Sequence, residues 1–544
     1  MPEYFFGVFF YSVKRLLKTI VVLFFLLGSF VFIQAQGQDE KKGREENRKI
    51  LIEYADLMKG AEKRLGKNSW ALVGNVRMQH LNTRMFCDSA ILNRDSNRVE
   101  AFGSIHIIQN DTIHLYGDKL NYDGNEELAK VRENVRLVNK NVVLTTDFLD
   151  YDRKNDVAYY FNGGRIVDER NQLTSSLGFY YPRTGEVNFK DSVVLINPDY
   201  RMYSDTLKYF TRTEVVGIVG PTNIYSDENR IFSELGFYDT RSDKARLLKN
   251  NYIDGGEQTL RGDTILYNRN DGFGEVFSGM ALEDTANNVI ITGDYGYYNE
   301  KTEKALATKK AVLKQVYGND TLFLHADTLR ADPVSGEVEN KIVRAFHNVQ
   351  FYRYDLQGRC DSMVYDFRDS TNTFYHEPVI WAQGNQMTAS EIKLYTRKRV
   401  LYKAEMIENA FLIAPEDSVH FNQIKGKKMT GYFKENQLYK IDVDGNGQTV
   451  YYPKDRDYVI GVNRAESSSL TIYLKNRKVE TIVLRTQPTG NMNPPFVLDK
   501  ESTRLEGFLW LEKYRPKKYE DIFHFKEIVE EVQRTDYSDY QFSE

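Results

Sequence analysis

The 544-residue sequence has few cysteines, prolines and histidines and no large excess of one charge. Its two cysteines, Cys87 and Cys360, are too few for a disulfide framework, and without a recurring histidine partner they do not indicate a catalytic thiol. Only 12 prolines stand beside 37 tyrosines and 32 phenylalanines, as in an aromatic-rich β protein. The 73 basic and 77 acidic residues form no basic stripe, which argues against nucleic acid as a partner.

Motifs of catalysis and metal binding are also missing. The eight histidines lack metal-type spacings, and His106 and His114 are interpreted as exposed strand residues. No glycine-rich phosphate loop and no Gly-x-Ser-x-Gly elbow occurs. Asp442–Gly447 matches the start of an EF-hand loop, but Pro453 stands where a bidentate glutamate is needed, so a turn is predicted instead. The sequence therefore predicts a non-enzymatic protein without metal or cofactor.

A repeat of about 29 residues runs through most of the chain, with successive spacings of 29 to 34. Each copy has a small residue, then an acidic one, and in most copies a tyrosine four positions later, as in Gly117-Asp118 and Tyr122. Ser176 replaces the acidic residue in one copy. The acidic anchors are Asp56, Asp88, Asp118, Asp147, Asp205, Glu234, Asp263, Asp294, Asp327, Asp361 and Glu391.

The second half of each copy ends in a step of glycine or asparagine and an apolar residue, as in Glu133-Asn134-Val135. Each unit therefore reads as strand, turn, strand. The apolar residues change parity at the small–acidic pair, which predicts a bulge or bend there. We expect the anchors to be structural, with their carboxylates accepting backbone N–H bonds at the bend.

The chain divides into five segments by sequence. Residues 1–36 resemble an export signal cleaved after Ala35, or a retained N-terminal anchor, because a basic flank precedes about fifteen apolar residues. Residues 37–67 form a linker and capping unit, residues 68–415 the repeat array, and residues 416–500 a β-rich C-terminal segment. Residues 501–544 form a tail, in which Ile522 to Val532 is either an amphipathic helix or a docking segment.

Apolar columns on both sides of the bend form either a closed core or an open trough, and the sequence leaves both possible. A trough suits long acyl chains, because burying each CH₂ group is worth about 0.8 kcal/mol. The positions predicted to line it are Leu115, Leu120, Leu144, Leu149, Met202, Leu207, Leu260, Ile265, Ile291, Leu324 and Leu329. The alternatives are an adhesive or structural β-solenoid with a dry core, and a glycan-binding solenoid whose tyrosine ladder stacks on sugars.

The steps Cys87-Asp88-Ser89-Ala90, Gly117-Asp118-Lys119-Leu120 and Gly74-Asn75-Val76 resemble the OstA-like, LptA-type family of periplasmic lipopolysaccharide-transport proteins, in a long multi-repeat form. The likeness covers roughly residues 50–415, and Met429–Phe433 is similar to the long form of that family. The resemblance implies an all-β, folded-over jellyroll, open at one edge, that holds lipid A acyl chains.

The same resemblance implies partners and a location. They are lipopolysaccharide, the transport components of the inner and outer membranes, and further copies joined end to end, all in the periplasm. The chain lacks a long terminal array of membrane-barrel strands, which argues against the outer-membrane insertase. The family offers no catalytic residues to carry over.

Overall fold

We analysed a computed structural model of the chain. It describes residues 49–60, 66–318, 320–334, 337–397, 400–435, 437–456, 458–476, 478–494 and 502–528. The predicted export segment 1–36 and most of the linker lie outside these ranges. Within them, no helix has the length and apolar character needed to cross a membrane. The chain divides into two compact units, Met1–Leu195 and Ile196–Glu544, which are described separately.

The first unit is an antiparallel β-sheet. Its strands are β1 Leu51–Tyr54, β2 Leu57–Gly60, β3 Ser69–His80, β4 Thr83–Asn93, β5 Arg98–Gln109, β6 Ile113–Asp123, β7 Leu128–Asn139, β8 Val142–Asp152, β9 Val157–Tyr160, β10 Gly164–Val167, β11 Gln172–Ser175, β12 Leu177–Tyr181 and β13 Glu186–Ile196. Strands β3 to β8 form a meander in which each pairs with the next. Strands β1 and β2 both pair with β3, so the described part of the capping unit is β-structure.

The second unit is also antiparallel. Its strands are β14 Arg201–Phe210, β15 Val215–Ile218, β16 Thr222–Tyr225, β17 Arg230–Ser233, β18 Leu235–Asp239, β19 Lys244–Lys249, β20 Asn251–Asp254, β21 Gln258–Gly262, β22 Thr264–Asn268, β23 Phe273–Asp284, β24 Val289–Asn299, β25 Lys304–Tyr317, β26 Asp320–Val334, β27 Glu337–Arg353, β28 Leu356–Asp366, β29 Thr371–Tyr375, β30 Val379–Ala382, β31 Asn385–Thr388, β32 Glu391–Arg397, β33 Val400–Pro415, β34 Phe421–Lys434, β35 Gln437–Tyr451, β36 Lys454–Asp455, β37 Tyr458–Val459, β38 Val462–Lys475, β39 Lys478–Arg485 and β40 Thr489–Asn493. The all-β prediction is confirmed, and it extends beyond the repeat array to residue 493.

The ladder is interrupted by a bulge at the small–acidic pair of the long strands β4, β6, β8, β24, β26 and β28, as predicted. The pairing of β4 with β5 shifts register between Phe86 and Ser89, on either side of Asp88. The extra residue lies on β5, where Gly103 and Ser104 have φ values of +73° and +47°. The glycine or asparagine steps of the repeat are therefore the left-handed residues of β-bulges, which increase the local bend of a strand.

The predicted turn at Asp442–Gly447 is another such bulge. It lies inside β35, with Gly445 and Asn446 at φ +76° and +51°, and the ladder with β38 resumes at Gly447. The sequence suggested a turn because glycine and asparagine serve both structures, and only strand pairing distinguishes them.

Every bend divides a strand into two arms. Arm A consists of the strand parts that precede an anchor and of the parts of neighbouring strands that pair with them. Arm B consists of the strand parts that follow an anchor and of the parts that pair with those. In arm A of the first unit, buried Met78, Met85, Ile107, Leu115, Leu137 and Leu144 stand in one row across the ladder. In arm B, Leu72, Ala90, Ala101, Leu120, Val131 and Leu149 do the same. These rows are the inner faces, and they form the core.

The tail after β40 is irregular. It contains two 3-10 turns, Glu512–Tyr514 and Tyr519–Phe523, and residues 524–528 have no helix. The helix predicted from Ile522 to Val532 is therefore wrong for its described part, and its last four residues lie outside the described ranges. Apolar residues of the tail pack against the sheet instead of forming one face of a helix.

Candidate functional site

The acidic anchors meet the bulge of the neighbouring strand through side chains. Asp118 Oδ2 accepts a hydrogen bond from Asn134 Nδ2 at 2.6 Å, and Asp88 Oδ2 accepts one from Ser104 Oγ at 3.0 Å. The same contact joins Asp56 to Asn75, Asp263 to Ser278 and Asp327 to Asn348, at 2.9, 2.7 and 2.9 Å. The donors are left-handed bulge residues. We expected backbone donors, but the bulge turns a side chain toward the carboxylate instead.

The remaining anchors divide into two groups. Glu234 and Glu391 form ion pairs with Lys249 and Lys393, and Asp361 Oδ1 lies 3.1 Å from His347 Nδ1. The Ser362 hydroxyl and His347 beside Asp361 hold the pKa of that carboxyl below its usual value. Within the described ranges, the carboxylates of Asp147, Asp205 and Asp294 have no hydrogen bond or ion pair with a protein group.

This difference gives a test of the anchor role. We expect Asp118→Ala to lower the free energy of unfolding by about 1 kcal/mol, because it removes a short charge-assisted hydrogen bond at an exposed bend. Asp147→Ala is the matched control and should change it by less than about 0.5 kcal/mol. Urea unfolding followed by circular dichroism measures both. Equal losses in the two variants would show that the Asn134 contact does not stabilise the bend.

The predicted groove residues lie on the inner faces. Ten of them are buried, with exposures of 0 to 4%, namely Leu115, Leu120, Leu144, Leu149, Met202, Leu207, Leu260, Ile265, Leu324 and Leu329. Ile291 is half-buried. In this structure most of the predicted groove side chains are therefore packed inside the protein.

Side chains also join the far ends of the two arms in the first unit. The Tyr122 hydroxyl at the end of arm B shares a 2.6 Å hydrogen bond with His80 Nδ1 at the end of arm A. Asn139 Nδ2 donates to the Tyr180 hydroxyl at 2.9 Å, again across the arms. Arg153 Nη1 donates to the His80 carbonyl at 3.2 Å and to Thr83 Oγ1 at 2.6 Å. We call His80, Thr83, Tyr122, Asn139, Arg153 and Tyr180 the mouth seam.

The second unit has corresponding contacts. Asn229 Nδ2 in arm A donates to the Tyr267 hydroxyl in arm B at 2.6 Å, and Glu300 Oε2 accepts from that hydroxyl at 3.2 Å. Burial raises the pKa of Glu300. Phe351 in arm A and Phe374 in arm B pack with ring centroids 5.4 Å apart. Here too the arms meet through side chains.

The tyrosine column is therefore part of the closure and not a sugar platform. Tyr122, Tyr151, Tyr180, Tyr209, Tyr238 and Tyr267 are at most 2% exposed. Burial raises the pKa of Tyr122 to about 12. The alternative of exposed tyrosines that stack on glycans does not fit these six, because residues four positions after the anchor point to the inner face.

Two clefts of the described surface are lined mainly by polar and charged residues. One of about 1050 Å³ lies along the bend of the first unit and is lined by Asn134, Thr146, Asp147, Arg165 and Ser176, among others. Another, of about 860 Å³, lies between hairpin loops of the second unit and includes Asp199, Glu228, Arg269 and Lys301. Neither has the apolar lining that acyl chains require.

Cys87, Cys360, His106 and His114 all lie within strands of the sheet. Cys87 and Cys360 are free and buried, and burial raises the pKa of Cys87 to about 12, which leaves it a poor nucleophile. His106 Nε2 and His114 Nδ1 are 3.1 Å apart on adjacent strands. No group of three or more potential metal ligands occurs in the described part of the chain.

The sequence did not reveal the polar residues that join the two arms. His80, Asn139 and Asn229 stand at strand ends beside turns, where polar residues are common for local reasons. Each meets a tyrosine 38 to 42 positions later. That offset is longer than one repeat, so the two partners belong to different copies and share no local sequence pattern.

Comparison with known proteins finds a family similarity for part of the chain. The model of the OstA-like protein family matches residues 47–205 and 222–317. A similar solved structure is LptH of Pseudomonas aeruginosa, the LptA-homologous periplasmic component of its lipopolysaccharide transport device. It has 11% sequence identity and a TM-score of 0.20, and the match covers 25% of this chain and 92% of that one. No curated protein matches the sequence significantly. Residues 47–205 and 222–317, less than half of the chain, therefore resemble the OstA-like protein family.

Proposed function

We propose that this protein is a non-enzymatic carrier that holds the acyl chains of lipopolysaccharide between arms A and B during transport to the outer membrane. The similarity of residues 47–205 and 222–317 to the OstA-like family supports the general role. The chemistry of the inner faces supports the ligand class. The inner rows of arms A and B named above for the first unit consist of leucine, isoleucine, valine, methionine and alanine.

The observation that carries this proposal is how the arms are held together. Backbone hydrogen bonds run along each arm, from strand to strand. The contacts described above between the arms of the first unit are side-chain packing and the mouth seam. The arms can therefore part about the bulges while every ladder bond remains, whereas separating two strands would break several backbone bonds.

Lipid entry also has a favourable energy balance. When an acyl chain replaces the opposite arm, the inner leucines stay out of water. Each CH₂ group of the lipid that leaves water contributes about 0.8 kcal/mol. The opening cost is then chiefly the seam hydrogen bonds, at about 1 kcal/mol each.

The partners and location belong to the same proposal. Residues 1–36 would direct export and be removed near Ala35, leaving the protein in the periplasm between the inner- and outer-membrane transport components. Strands β1 and β2 pair only with β3, and β39 and β40 only with β38, within the ranges described. Such unpaired edges suit end-to-end addition of strands from a partner or another copy.

Photo-crosslinking tests the proposal with matched neighbours. Benzophenone side chains at Leu120 and Leu207 face the interior, whereas those at Lys119 and Lys208 stand one residue away on the exposed face. We expect the two leucine positions to capture lipopolysaccharide and the two lysine positions not to. The reverse pattern, or equal capture at all four, would refute the assignment of the inner faces.

A structural β-solenoid with a dry core is the second candidate. The 0 to 4% exposure of the inner leucines favours it, because a core needs no ligand to be complete. Mass spectrometry of the purified protein separates the candidates. Co-purifying lipid in stoichiometric amount supports the carrier, and a lipid-free protein that also refuses added lipopolysaccharide supports the dry core.

A further inference from the structure

The C-terminal segment, residues 502–528, lies against one face of the sheet in the second unit. Phe323 and His325 of β26 contact Tyr519 and Phe523 of this segment, with ring centroids 4.6 and 5.0 Å apart. Leu324, between them, points the other way, because side chains alternate along a strand. Its ladder neighbour Phe351 meets arm B. The segment therefore covers the outer face of arm A, opposite the proposed lipid site.

Two glutamines on this face bind the main chain of the segment in the same way. Gln423 Nε2 donates to the Thr503 carbonyl at 2.9 Å, and its Oε1 accepts from the Leu505 N–H at 2.8 Å. Gln386 repeats the pattern with the Leu509 carbonyl and the Leu511 N–H, at 2.7 and 2.8 Å. Both glutamines are 1% exposed. Each buried amide bonds a backbone carbonyl and the backbone N–H two residues later. It therefore recognises an extended main chain, much as a neighbouring strand would.

Apolar side chains of the segment fill sites between the glutamines. Leu505 is 2% exposed and belongs to a cluster with Phe411, Ile413, Val450, Tyr452 and Val462, against which Phe508 and Trp510 also pack. Leu511 is 7% exposed and packs with Val379 and Trp381. These are separate pockets for separate anchor residues, as in a peptide-binding groove.

Further along, charged and aromatic groups hold the rest of the segment. The Arg359 guanidinium lies 5.4 Å from the Tyr514 ring centroid and 4.0 Å from that of Phe525. Arg515 Nε donates to Gln357 Oε1 at 2.8 Å. Gln350 Nε2 donates to the Ile522 carbonyl at 3.3 Å. Contacts therefore continue from β34 back to β26.

The corresponding face of the first unit is of a different kind. Its outer positions on arm A include Arg84, His114, Tyr116, Arg136 and Thr145, which are exposed or half-buried. Apolar residues such as Val379, Trp381, Phe411 and Ile413 occupy outer positions where the segment covers them. The outer face of the second unit is therefore apolar where the segment covers it.

We propose that this outer face is a peptide-docking surface and that residues 502–528 are its resident, exchangeable ligand, so that the same segment of a second copy docks there in trans. The surface matches this particular sequence, and the chain joins the segment to the last strand through residues 495–501, which lie outside the described ranges. As an intramolecular ligand, the resident segment has the advantage of a high effective concentration. Exchange therefore needs that connection to be cut or the resident segment to be displaced.

Cutting the chain after folding tests this directly. A protease site inserted between Pro494 and Ser502 leaves the folded protein with its segment in place until cleavage. A fluorescent peptide of residues 502–528 is then added, and binding is followed by anisotropy. We expect the cleaved protein to bind the peptide and the uncleaved protein to bind at least about tenfold less. The matched peptide with Leu505→Asp and Leu511→Asp should not bind.

Two results would overturn the proposal. One is a cleaved protein that keeps its own segment and never exchanges it, and the other is one that loses the segment and does not rebind it. If cleavage causes aggregation, hydrogen exchange on the uncut Gln386→Ala/Gln423→Ala protein decides. Faster exchange confined to residues 502–528, with β26 to β35 unchanged, supports a separable ligand. Loss of protection in both, or in neither, contradicts it.

Discussion

Replacing Leu120 by aspartate is expected to lower the free energy of unfolding of the first unit by at least about 4 kcal/mol. Leu120 is 4% exposed and stands in the inner row of arm B between Ala101 and Val131. The substitution removes buried apolar contacts and places a carboxylate where no described cation meets it. A loss of that size is a large part of the stability of an ordinary domain. Urea unfolding followed by circular dichroism measures it.

The adjacent residue provides the control. Asn121 follows Leu120 on β6 but is exposed on the opposite face, between Glu100 and Lys130 in the ladder. An added charge there has one neighbour of each sign, so Asn121→Asp should change the stability by less than about 0.5 kcal/mol. Similar losses for the two variants would mean that the inner face of arm B is not a packed interior.

Locking the mouth seam is expected to abolish lipid capture inside the first unit. Cysteines replacing His80 and Tyr122 stand on opposite arms, at the 2.6 Å contact, and a cleavable bifunctional thiol reagent then ties the arms together. The proposed function requires those arms to part, so capture of lipopolysaccharide by a benzophenone at Leu120 should fall at least about tenfold and return when the linker is cleaved. Crosslinked lipid on a gel is the readout.

A second cysteine pair isolates the effect of the lock from that of the reagent. Arg98 and Asp123 form a 2.8 Å ion pair within arm B, so linking cysteines at these positions leaves the two arms free to separate. The native Cys87 is 6% exposed and should react slowly. Undiminished capture in the His80–Tyr122 crosslinked protein would show that lipid reaches Leu120 without the seam opening, or is not carried there.

The repeat could be recognised in the sequence because every copy forms the same kind of bend. A strand that turns a corner needs an extra residue in a left-handed conformation on one strand and a small residue on the other. Glycine, asparagine and serine meet the first need, as at Gly103 and Ser104, and Gly117 illustrates the second. The location of the bends and the alternation of buried positions therefore followed from residue types alone.

Contacts between distant copies could not be read in this way. The partner of Tyr122 is His80, and the partner of Gln386 is the main chain at Leu509 and Leu511. A glutamine that binds backbone atoms places no demand on the side chains opposite, so the partner sequence carries no matching signal. The apolar spacing of the tail suggested a helix. In the structure, pockets on the sheet and not a helical period set the positions of the apolar residues of the tail.

The sequence by itself determined that the chain is β-structure bent at regular acidic anchors, because strand alternation and bulge chemistry are local properties of neighbouring residues. Only the tertiary structure decided that the arms meet in side-chain contact, that the tyrosine column closes the mouth and that the tail covers the outer face. Those features depend on which distant side chains reach the same place, and that is fixed by the folding of the sheet and not by any single repeat.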